Sequence, residues 1–155
     1  MKIIILLLAL VPISFAIGST ERDDLLTFSS MHSVNDTASL LVQILEKKGF
    51  TIFNKIDHSQ SASKIGIDLP ETRVIIFGNP KIGSKLMQCS PTIAIDLPQK
   101  ALIWKGTNNQ IWLSVNNPDY LKQRHNVQGC DLFFSKIKSA LTAISNKATT
   151  SLLSK

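Results

Sequence analysis

Two long amphipathic segments, one near each end of the folded region, limit the architectures that this chain can adopt. The first starts at residues 33–36 (Ser-Val-Asn-Asp), which fit a capping box, and it stops at Gly49, a residue that tolerates the left-handed conformation at a helix end. The second, over residues 131–146, carries apolar residues at helical spacing. Each segment is expected to be a helix that buries one face, so the chain needs an apolar layer for both helices to cover.

The rest of the domain supplies that layer as short strands. Period-two or continuous apolar patterns predict six of them, at residues 26–32, 50–57, 73–77, 92–97, 100–105 and 110–115. Short helices are predicted after Asp57, after Asn79-Pro80 and after Asn117-Pro118, because an N-cap residue followed by proline favours a helix start. The prediction is an α+β fold with two layers: a mostly antiparallel sheet of five or six strands, and both long helices on one face.

Two details of the sheet follow from the same patterns. The strand at residues 50–57 is predicted to pair near the first strand, with Phe50, Ile52 and Ile56 on one face. Three aromatic residues fall on strand positions that the inward face does not need: Phe53, Trp104 and Trp112. Either a second protomer or a ligand covers them, or they cap the ends of a single core.

The N-terminus predicts an exported protein. Residues 1–16 carry one positive charge at Lys2, an apolar run over residues 3–11, and small residues at Ser14 and Ala16. The run is shorter than the roughly 20 residues that cross a bilayer, so it is predicted to be a cleaved secretory signal that leaves no stable membrane anchor; an uncleaved anchor is the alternative. The mature chain is then secreted or periplasmic, with a polar lead-in at residues 17–25, one domain at 26–146 and a frayed tail at 147–155.

Cys89 and Cys130 are the two cysteines of the chain and lie 41 positions apart. In an oxidising compartment they can form a disulfide. They can equally be two separate buried thiols, because free cysteine packs as a small apolar residue. Spacing alone leaves both alternatives open.

Charge and motif patterns exclude several function classes. The chain has 17 Lys and Arg against 11 Asp and Glu, but the cations are scattered and form no arginine cluster, so no nucleic-acid partner is predicted. Gly83-Ser84-Lys85 lacks the Gly-Lys-Ser/Thr order of a phosphate loop. The three histidines show neither zinc nor iron spacing, and the sequence specifies no cofactor.

Asp57-His58, at the end of a predicted strand, is the best candidate for chemistry. A neighbouring carboxylate and imidazole can act as acid and base, or the carboxylate can orient a metal-binding histidine, which makes His58 the best single metal candidate. The alternative is that Asp57 caps the next helix and His58 is solvated. A copper site assembled from His58, Asp96, Met87 and Cys89 is a further alternative. A helix start near Asn79 and Lys81 could bind a small anion.

Several motifs spread over residues 33–125 together resemble the domain-of-unknown-function family 302. They are Lys47-Lys48-Gly49-Phe50-Thr51-Ile52-Phe53, Ile56-Asp57-His58, Phe77-Gly78-Asn79-Pro80-Lys81 with Gly83 and Leu86-Met87, Asp96-Leu97-Pro98, and Asn116-Asn117-Pro118. The resemblance implies a compact α+β domain that is often a homodimer, and a cluster of polar motif residues. Val115 departs from the family, which usually has tyrosine there, so a hydroxyl contact to a ligand is lost if that tyrosine makes one.

These observations predict an exported domain that binds a small ligand or metal ion as a homodimer. The candidate ligand-binding residues are Asp57, His58, Asn79, Lys81, Met87 and Asp96. A small hydrolase or lyase that uses His58 with Asp57 or Asp96 is the alternative. A structural dimer without a site is the third hypothesis.

Overall fold

The computed structural model describes residues 24–150. The predicted signal segment at residues 1–16, residues 17–23 of the lead-in and residues 151–155 of the tail lie outside the described residues. The strands are β1 (Leu25–Ser30), β2 (Thr51–Asp57), β3 (Thr72–Gly78), β4 (Gln99–Lys105) and β5 (Ile111–Asn116). The helices are α1 (Val34–Lys47), α2 (His58–Ser63), α3 (Pro80–Cys89), a 3-10 helix (Pro91–Asp96), α4 (Pro118–Arg124) and α5 (Asp131–Thr150).

The five strands form one antiparallel sheet in the order β1-β5-β4-β3-β2. The predicted α+β class and the antiparallel sheet are confirmed. The predicted pairing of the first two strands is wrong: β1 and β2 occupy opposite edges. The cause is α1, which crosses one face of the sheet and carries the chain from one edge to the other, while β5 returns to pair with β1.

Both long helices pack on the same face of the sheet, as predicted. Their apolar stripes contact each other and the inward residues of the strands in one core, whose fully buried members include Leu45, Ile103, Leu113 and Ala148. The ends of α1 are where the sequence predicts them. The Ser33 hydroxyl accepts a hydrogen bond from the Asp36 amide at 3.1 Å, and Gly49 has a φ of 77°.

Residues 92–97 are not a strand. Residues 92–96 lie in the 3-10 helix and Leu97 follows as its C-cap, so the sheet has five strands, the smaller of the two predicted numbers. Pro91 fixes φ near the helical value and cannot donate to a strand ladder, so it favours the helical turn. The apparent alternation was misleading, because Ile93 is fully buried whereas Ile95 is 75% exposed.

A β-bulge in β2 changes which residues face the core. Ile52 lies opposite Phe77, but the register shifts between Ile52 and Asn54, and Ile56 lies opposite Val74. Phe77 points into the core and Val74 points to the other face, since residues of opposite parity in β3 alternate. The predicted shared face of Phe50, Ile52 and Ile56 is therefore wrong, because one extra residue inverts the alternation.

The last helix continues beyond the predicted end at Asn146. Ala148 and Thr149 are buried at 0% and 1% exposure, and the Met31 amide donates to the Thr149 carbonyl at 3.1 Å. Residues 147–150 are thus helical and packed against the chain after β1 instead of frayed. Ala148 follows Leu141 and Ile144 on the same helical face, which extends the buried stripe.

Candidate functional site

A cavity of about 400 Å³ opens at the end of the sheet where β3 leads into α3. Its walls come from α3, the 3-10 helix, α4, α5 and the segments beside β2 and β4. The lining residues are almost all apolar; they are Phe50, Phe53, Phe77, Gly78, Asn79, Pro80, Ile82, Gly83, Ser84, Leu86, Met87, Ile93, Ala94, Leu97, Pro98, Gln99, Pro118, Leu121, Phe134, Ile137, Ala140 and Leu141.

The turn from β3 into α3 forms one wall of the cavity. Asn79 caps α3 by accepting a hydrogen bond from the Lys81 amide at 3.0 Å, and its side-chain amide donates to the Gly49 carbonyl at 3.2 Å. Pro80 occupies the first helical position, where its missing N–H costs nothing. Asn79 therefore fixes the angle at which α3 leaves the sheet, and the cavity lies beneath that helix.

Gly83 keeps the cavity open. It sits inside α3 with an ordinary helical backbone, where glycine is less favourable than alanine by about 1 kcal/mol. A methyl group placed on Gly83 would meet only a Leu97 methyl at 4.0 Å, so neighbouring atoms do not require glycine. The residue instead leaves space in the cavity wall.

The polar groups at the cavity are neutral. Asn79, Ser84 and Gln99 are the polar residues among its lining, and no charged side chain of residues 24–150 belongs to that lining. The Gln99 side-chain amide donates to the Asn116 carbonyl at 3.4 Å, which holds it at the sheet end. The cavity can therefore surround an apolar molecule and offer amide or hydroxyl groups to a neutral polar end.

Two of the six sequence-predicted ligand residues line this cavity: Asn79 and Met87. Met87 is 39% exposed and lies at the mouth. Lys81 is on α3 but outside the lining. Val115, where the family usually has tyrosine, is 2% exposed in the main core and is also outside the lining.

Asp57 and His58 lie at the opposite end of the sheet. The Asp57 carboxylate caps α2, accepting from the Gln60 amide at 2.8 Å and the Ser59 hydroxyl at 2.7 Å, and it pairs with Arg73 at 3.0 Å. The Gln60 amide is the largest cause of the lowered pKa of Asp57, followed by Ser59; Arg73 lowers that pKa as well. Both carboxylate oxygens are engaged, and His58 is exposed, which agrees with the capping alternative.

The structure does not bring Asp57 and His58 together with Asp96. Asp57 lies opposite Arg73 at the start of β3, whereas Asp96 precedes Gln99, which lies opposite Phe77 near the other end. Arg73 and Phe77 are four positions apart along β3, a distance of roughly 13 Å. No group of three or more His, Cys, Asp or Glu within residues 24–150 is arranged to hold a metal ion.

Asp96 instead pairs with a histidine that the sequence did not single out. His125 Nε2 lies 2.6 Å from Asp96 Oδ2, and Arg124 Nη1 lies 3.2 Å from Asp96 Oδ1. The other ring nitrogen, His125 Nδ1, is 3.0 Å from the Thr92 hydroxyl. Asp96 and His125 are 29 positions apart in different elements, so no local spacing signals the pair.

Cys89 and Cys130 form a disulfide beside this network. Cys89 ends α3 and Cys130 immediately precedes α5, so the bond joins the two segments that also carry Thr92 and His125. Of the two alternatives that spacing left open, the structure has the disulfide. A bonded Cys89 cannot supply the thiolate of the copper site considered from the sequence.

The sheet face opposite α1 and α5 carries the tryptophan pair. Trp104 and Trp112 lie opposite each other on β4 and β5, with stacked rings 6.3 Å apart, and Trp104 Nε1 donates to the Ser114 hydroxyl at 3.3 Å. Both are half-buried. Phe53 differs from them: it is the bulged residue of β2, is 54% exposed and lines the cavity.

Comparison with known proteins agrees with this architecture. A crystal structure of an uncharacterized conserved DUF302 protein from Bacillus stearothermophilus is similar, with a TM-score of 0.73 over 80% of this chain and 97% of that chain. Its sequence identity is 17%, so this similarity describes the fold.

Two curated relatives are larger proteins. Fluoride-specific ion channel FluC 1 from Brucella suis biovar 1 is 42% identical over 103 residues, which are 66% of this chain and 41% of the relative. Fluoride-specific ion channel FluC 1 from Brucella abortus biovar 1 has the same identity over the same length, covering 38% of that protein. This chain thus spans about two fifths of the relatives it matches. Across residues 24–150, no helix has the length and apolarity needed to cross a membrane.

A family model supplies the assignment. The model described as domain of unknown function DUF302 matches residues 26–144, a span that contains all of the sheet except Leu25, the cavity and the Asp96–His125 pair. The chain therefore belongs to the DUF302 family.

Proposed function

We propose that this domain binds a small, neutral, largely apolar molecule in the cavity beneath α3. The observation that carries the proposal is the lining, in which apolar side chains surround about 400 Å³ of space and the polar groups are uncharged. Ligand sites commonly measure 300–1,000 Å³ and combine an apolar wall with a few polar groups. The motif residues Asn79 and Met87 are at this site, which supports ligand binding as the role of the motif.

The absence of charge in the lining favours neutral ligands over carboxylates or phosphates. A charged group placed against Phe77, Ile93 or Phe134 would lose its hydration without gaining a counter-ion. An apolar ligand gains roughly 25 cal/mol for each Å² of surface removed from water, and Gln99 or Asn79 can hydrogen-bond to a hydroxyl or carbonyl at its end.

A neutral fluorescent probe tests the proposal. N-phenylnaphthylamine should gain fluorescence when added to the purified chain, and a long-chain alcohol should displace it more readily than the carboxylate of the same length. Ala140→Leu, at an exposed lining position on α5, should weaken probe binding about tenfold or more by occupying the mouth. Ala143→Leu is the matched control, since Ala143 is exposed on the same helix and outside the lining. Equal probe affinities of the two variants would overturn the proposal.

We propose further that the protein is an exported homodimer. The uncovered sheet face with Trp104 and Trp112 supports self-association, because a half-buried aromatic pair there gains from exclusion of water by a second copy. The Cys89–Cys130 disulfide supports export, because such bonds persist in oxidising compartments. Expressing the whole chain and sequencing the N-terminus of the periplasmic or secreted product tests export; a product that retains Met1 would contradict cleavage.

A second candidate function is a role beside a fluoride-specific channel. The support is the 42% identity to proteins of that name, combined with a matched fold that has no membrane-crossing helix among its described residues. Sodium fluoride should then raise the melting temperature of the purified chain above that in sodium chloride of equal concentration. Equal melting temperatures, together with unchanged fluoride tolerance after deletion of the gene, would reject this role.

A further inference from the structure

Thr92, His125 and Asp96 form a continuous hydrogen-bonded chain on the outer side of the 3-10 helix. The Thr92 hydroxyl oxygen is 3.0 Å from His125 Nδ1, and His125 Nε2 is 2.6 Å from the carboxylate oxygen Oδ2 of Asp96. A hydroxyl, an imidazole and a carboxylate in this order are the components that activate a side-chain nucleophile.

The direction of the hydrogen bonds follows from the donors available. An ionised carboxylate only accepts hydrogen bonds, so His125 Nε2 donates to Asp96. In the neutral imidazole the other nitrogen then has a lone pair, so the Thr92 hydroxyl donates to His125 Nδ1. In that tautomer the Thr92 hydroxyl has His125 Nδ1 as an acceptor for its proton, and the Ser90 hydroxyl oxygen, 3.1 Å away, is a second hydrogen-bond partner of the same group.

The three groups differ in their exposure to solvent. The side chains of His125 and Asp96 are only 6% and 14% exposed, whereas Thr92 is exposed. The base and its carboxylate are thus held away from bulk water, and the hydroxyl at the end of the chain remains accessible to another molecule. Arg124 also pairs with Asp96 and keeps the carboxylate in place.

Covalent and hydrogen-bonded links fix the two segments that carry these groups. The Cys89–Cys130 disulfide joins them three residues before Thr92 and five residues after His125, and the Ser90 hydroxyl donates to the His125 carbonyl at 3.3 Å. Rigid support of this kind keeps a nucleophile and its base at reacting distance.

We propose that Thr92 is a nucleophile that accepts acyl groups from small esters, with His125 as general base and Asp96 as the residue that positions His125. The Thr92 oxygen attacks the ester carbonyl carbon, and its proton passes to His125 Nδ1. The bond from the carbonyl carbon to the leaving oxygen breaks, and that oxygen leaves with the electron pair; it takes the proton from His125 when it is basic enough, and when it leaves as the anion, as p-nitrophenolate does, His125 releases the proton to solvent before the next step. Water then attacks the acyl-threonine, gives a proton to His125, and the Thr92 oxygen leaves and recovers it.

Small activated esters are the substrate class that this arrangement fits. One hydroxyl with one base suits transfer of an acyl group, and no described cluster of His, Cys, Asp or Glu would hold a metal for other hydrolytic chemistry. Ile93 and Ala94, the next residues of the same helix, line the apolar cavity, whereas Thr92 itself is not among the lining residues. The nucleophile itself does not depend on cavity binding.

Acetylation by p-nitrophenyl acetate tests the proposal on the full chain. Release of p-nitrophenolate should accompany the transfer of one acetyl group, and peptide mapping by mass spectrometry should place it on Thr92. Thr92→Val, which keeps the shape of the side chain but removes the hydroxyl, should lower the rate about 100-fold or more. Thr92→Ser keeps the hydroxyl, so it should retain the acetylation rate and carry the acetyl group at position 92.

Two further variants distinguish an effect on the acetylation reaction from an effect on folding. Asp96→Asn should lower the acetylation rate at saturating ester while the ester concentration for half-maximal rate stays unchanged, because it alters the orientation of His125 and not contact with the ester. Thr107→Val, at an exposed threonine in the turn between β4 and β5, is the matched control and should react as the parent chain does. Acetylation that maps to another residue, or that proceeds equally in Thr92→Val, would overturn the proposal.

Discussion

At the scale of single residues, Gly83 affects both the stability of α3 and the size of the cavity. Gly83→Ala should raise the free energy of unfolding by about 0.5–1 kcal/mol, because alanine loses less backbone entropy in a helix. The same methyl group enters the cavity near Leu97, so the affinity for N-phenylnaphthylamine should fall. Urea unfolding and probe titration measure the two effects. A variant that gains stability but keeps full affinity would show that the probe binds elsewhere.

Asp57 has a structural role that pH can reveal. Its pKa in the folded chain lies below the ordinary value of 3.8, first because of the Gln60 amide and then the Ser59 hydroxyl. A lowered folded-state pKa adds stability that is complete above the unfolded pKa and is lost as pH falls through the folded pKa. Asp57→Asn keeps a capping side chain but not the charge, so it should be less stable than the parent near pH 6.

The difference between the two proteins should shrink as pH falls below about 4, near the unfolded pKa, and vanish once pH is below the lowered pKa of the folded carboxylate. Urea unfolding across that range measures it. Asp57→Ala is the companion variant: it removes the cap as well as the charge, so it should be less stable than Asp57→Asn by about 1 kcal/mol at every pH. A pH-independent difference between Asp57→Asn and the parent would contradict the role of the charge.

At the scale of elements, the disulfide fastens the wall shared by the cavity and the Thr92–His125–Asp96 chain. It closes a loop of 41 positions, so replacing both Cys89 and Cys130 by alanine should lower the free energy of unfolding by about 2–4 kcal/mol. The far side of the molecule, where Asp57 caps α2, should retain its amide protection. Hydrogen exchange can follow both regions; uniform loss of protection would mean that the bond stabilises the whole fold and not this wall.

The elements also show what a sequence pattern can and cannot predict. The ends of α1 and α4 were predictable because caps at Ser33 and Asn117 act within three residues of their own helices. The 3-10 helix at Pro91–Asp96 and the outward direction of Ile56 were not, because each depends on long-range packing or on one extra residue in β2.

The residues of the candidate sites likewise include some that the sequence could predict and some that it could not. Asn79 and Met87 could be predicted at a site because a strand-to-helix turn concentrates motif residues, and both line the cavity. The Asp96–His125 pair could not, since 29 positions that include two strands and α4 separate its members. The cavity itself has no sequence signature beyond Gly83 inside a helix, and a lone glycine in a helical pattern is compatible with many packing arrangements.

At the scale of the whole molecule, the sheet is covered unequally. One face is sealed by α1 and α5 over a continuous core. On the other face, alternation places Val74 opposite Leu102 and Trp104 opposite Trp112, with Thr27 bonded to Ser114 farther across. The side of the sheet away from the long helices therefore carries an apolar patch around Val74, Leu102 and the tryptophan pair, and apolar surface patches commonly mark contacts between proteins.

A substitution on that sheet surface tests the proposed homodimer. Trp104→Glu replaces one ring of the stacked pair by a carboxylate. A second copy would have to bury that charge, which strongly disfavours association. Light scattering of the purified mature chain at micromolar concentration should give the mass of a dimer for the parent and of a monomer for Trp104→Glu. Thr107→Glu adds the same charge in the neighbouring exposed turn and should remain dimeric. Probe binding should survive in the Trp104→Glu monomer, because all residues that line the cavity belong to one chain. A parent protein that is already monomeric would refute the dimer and leave the cavity proposal intact.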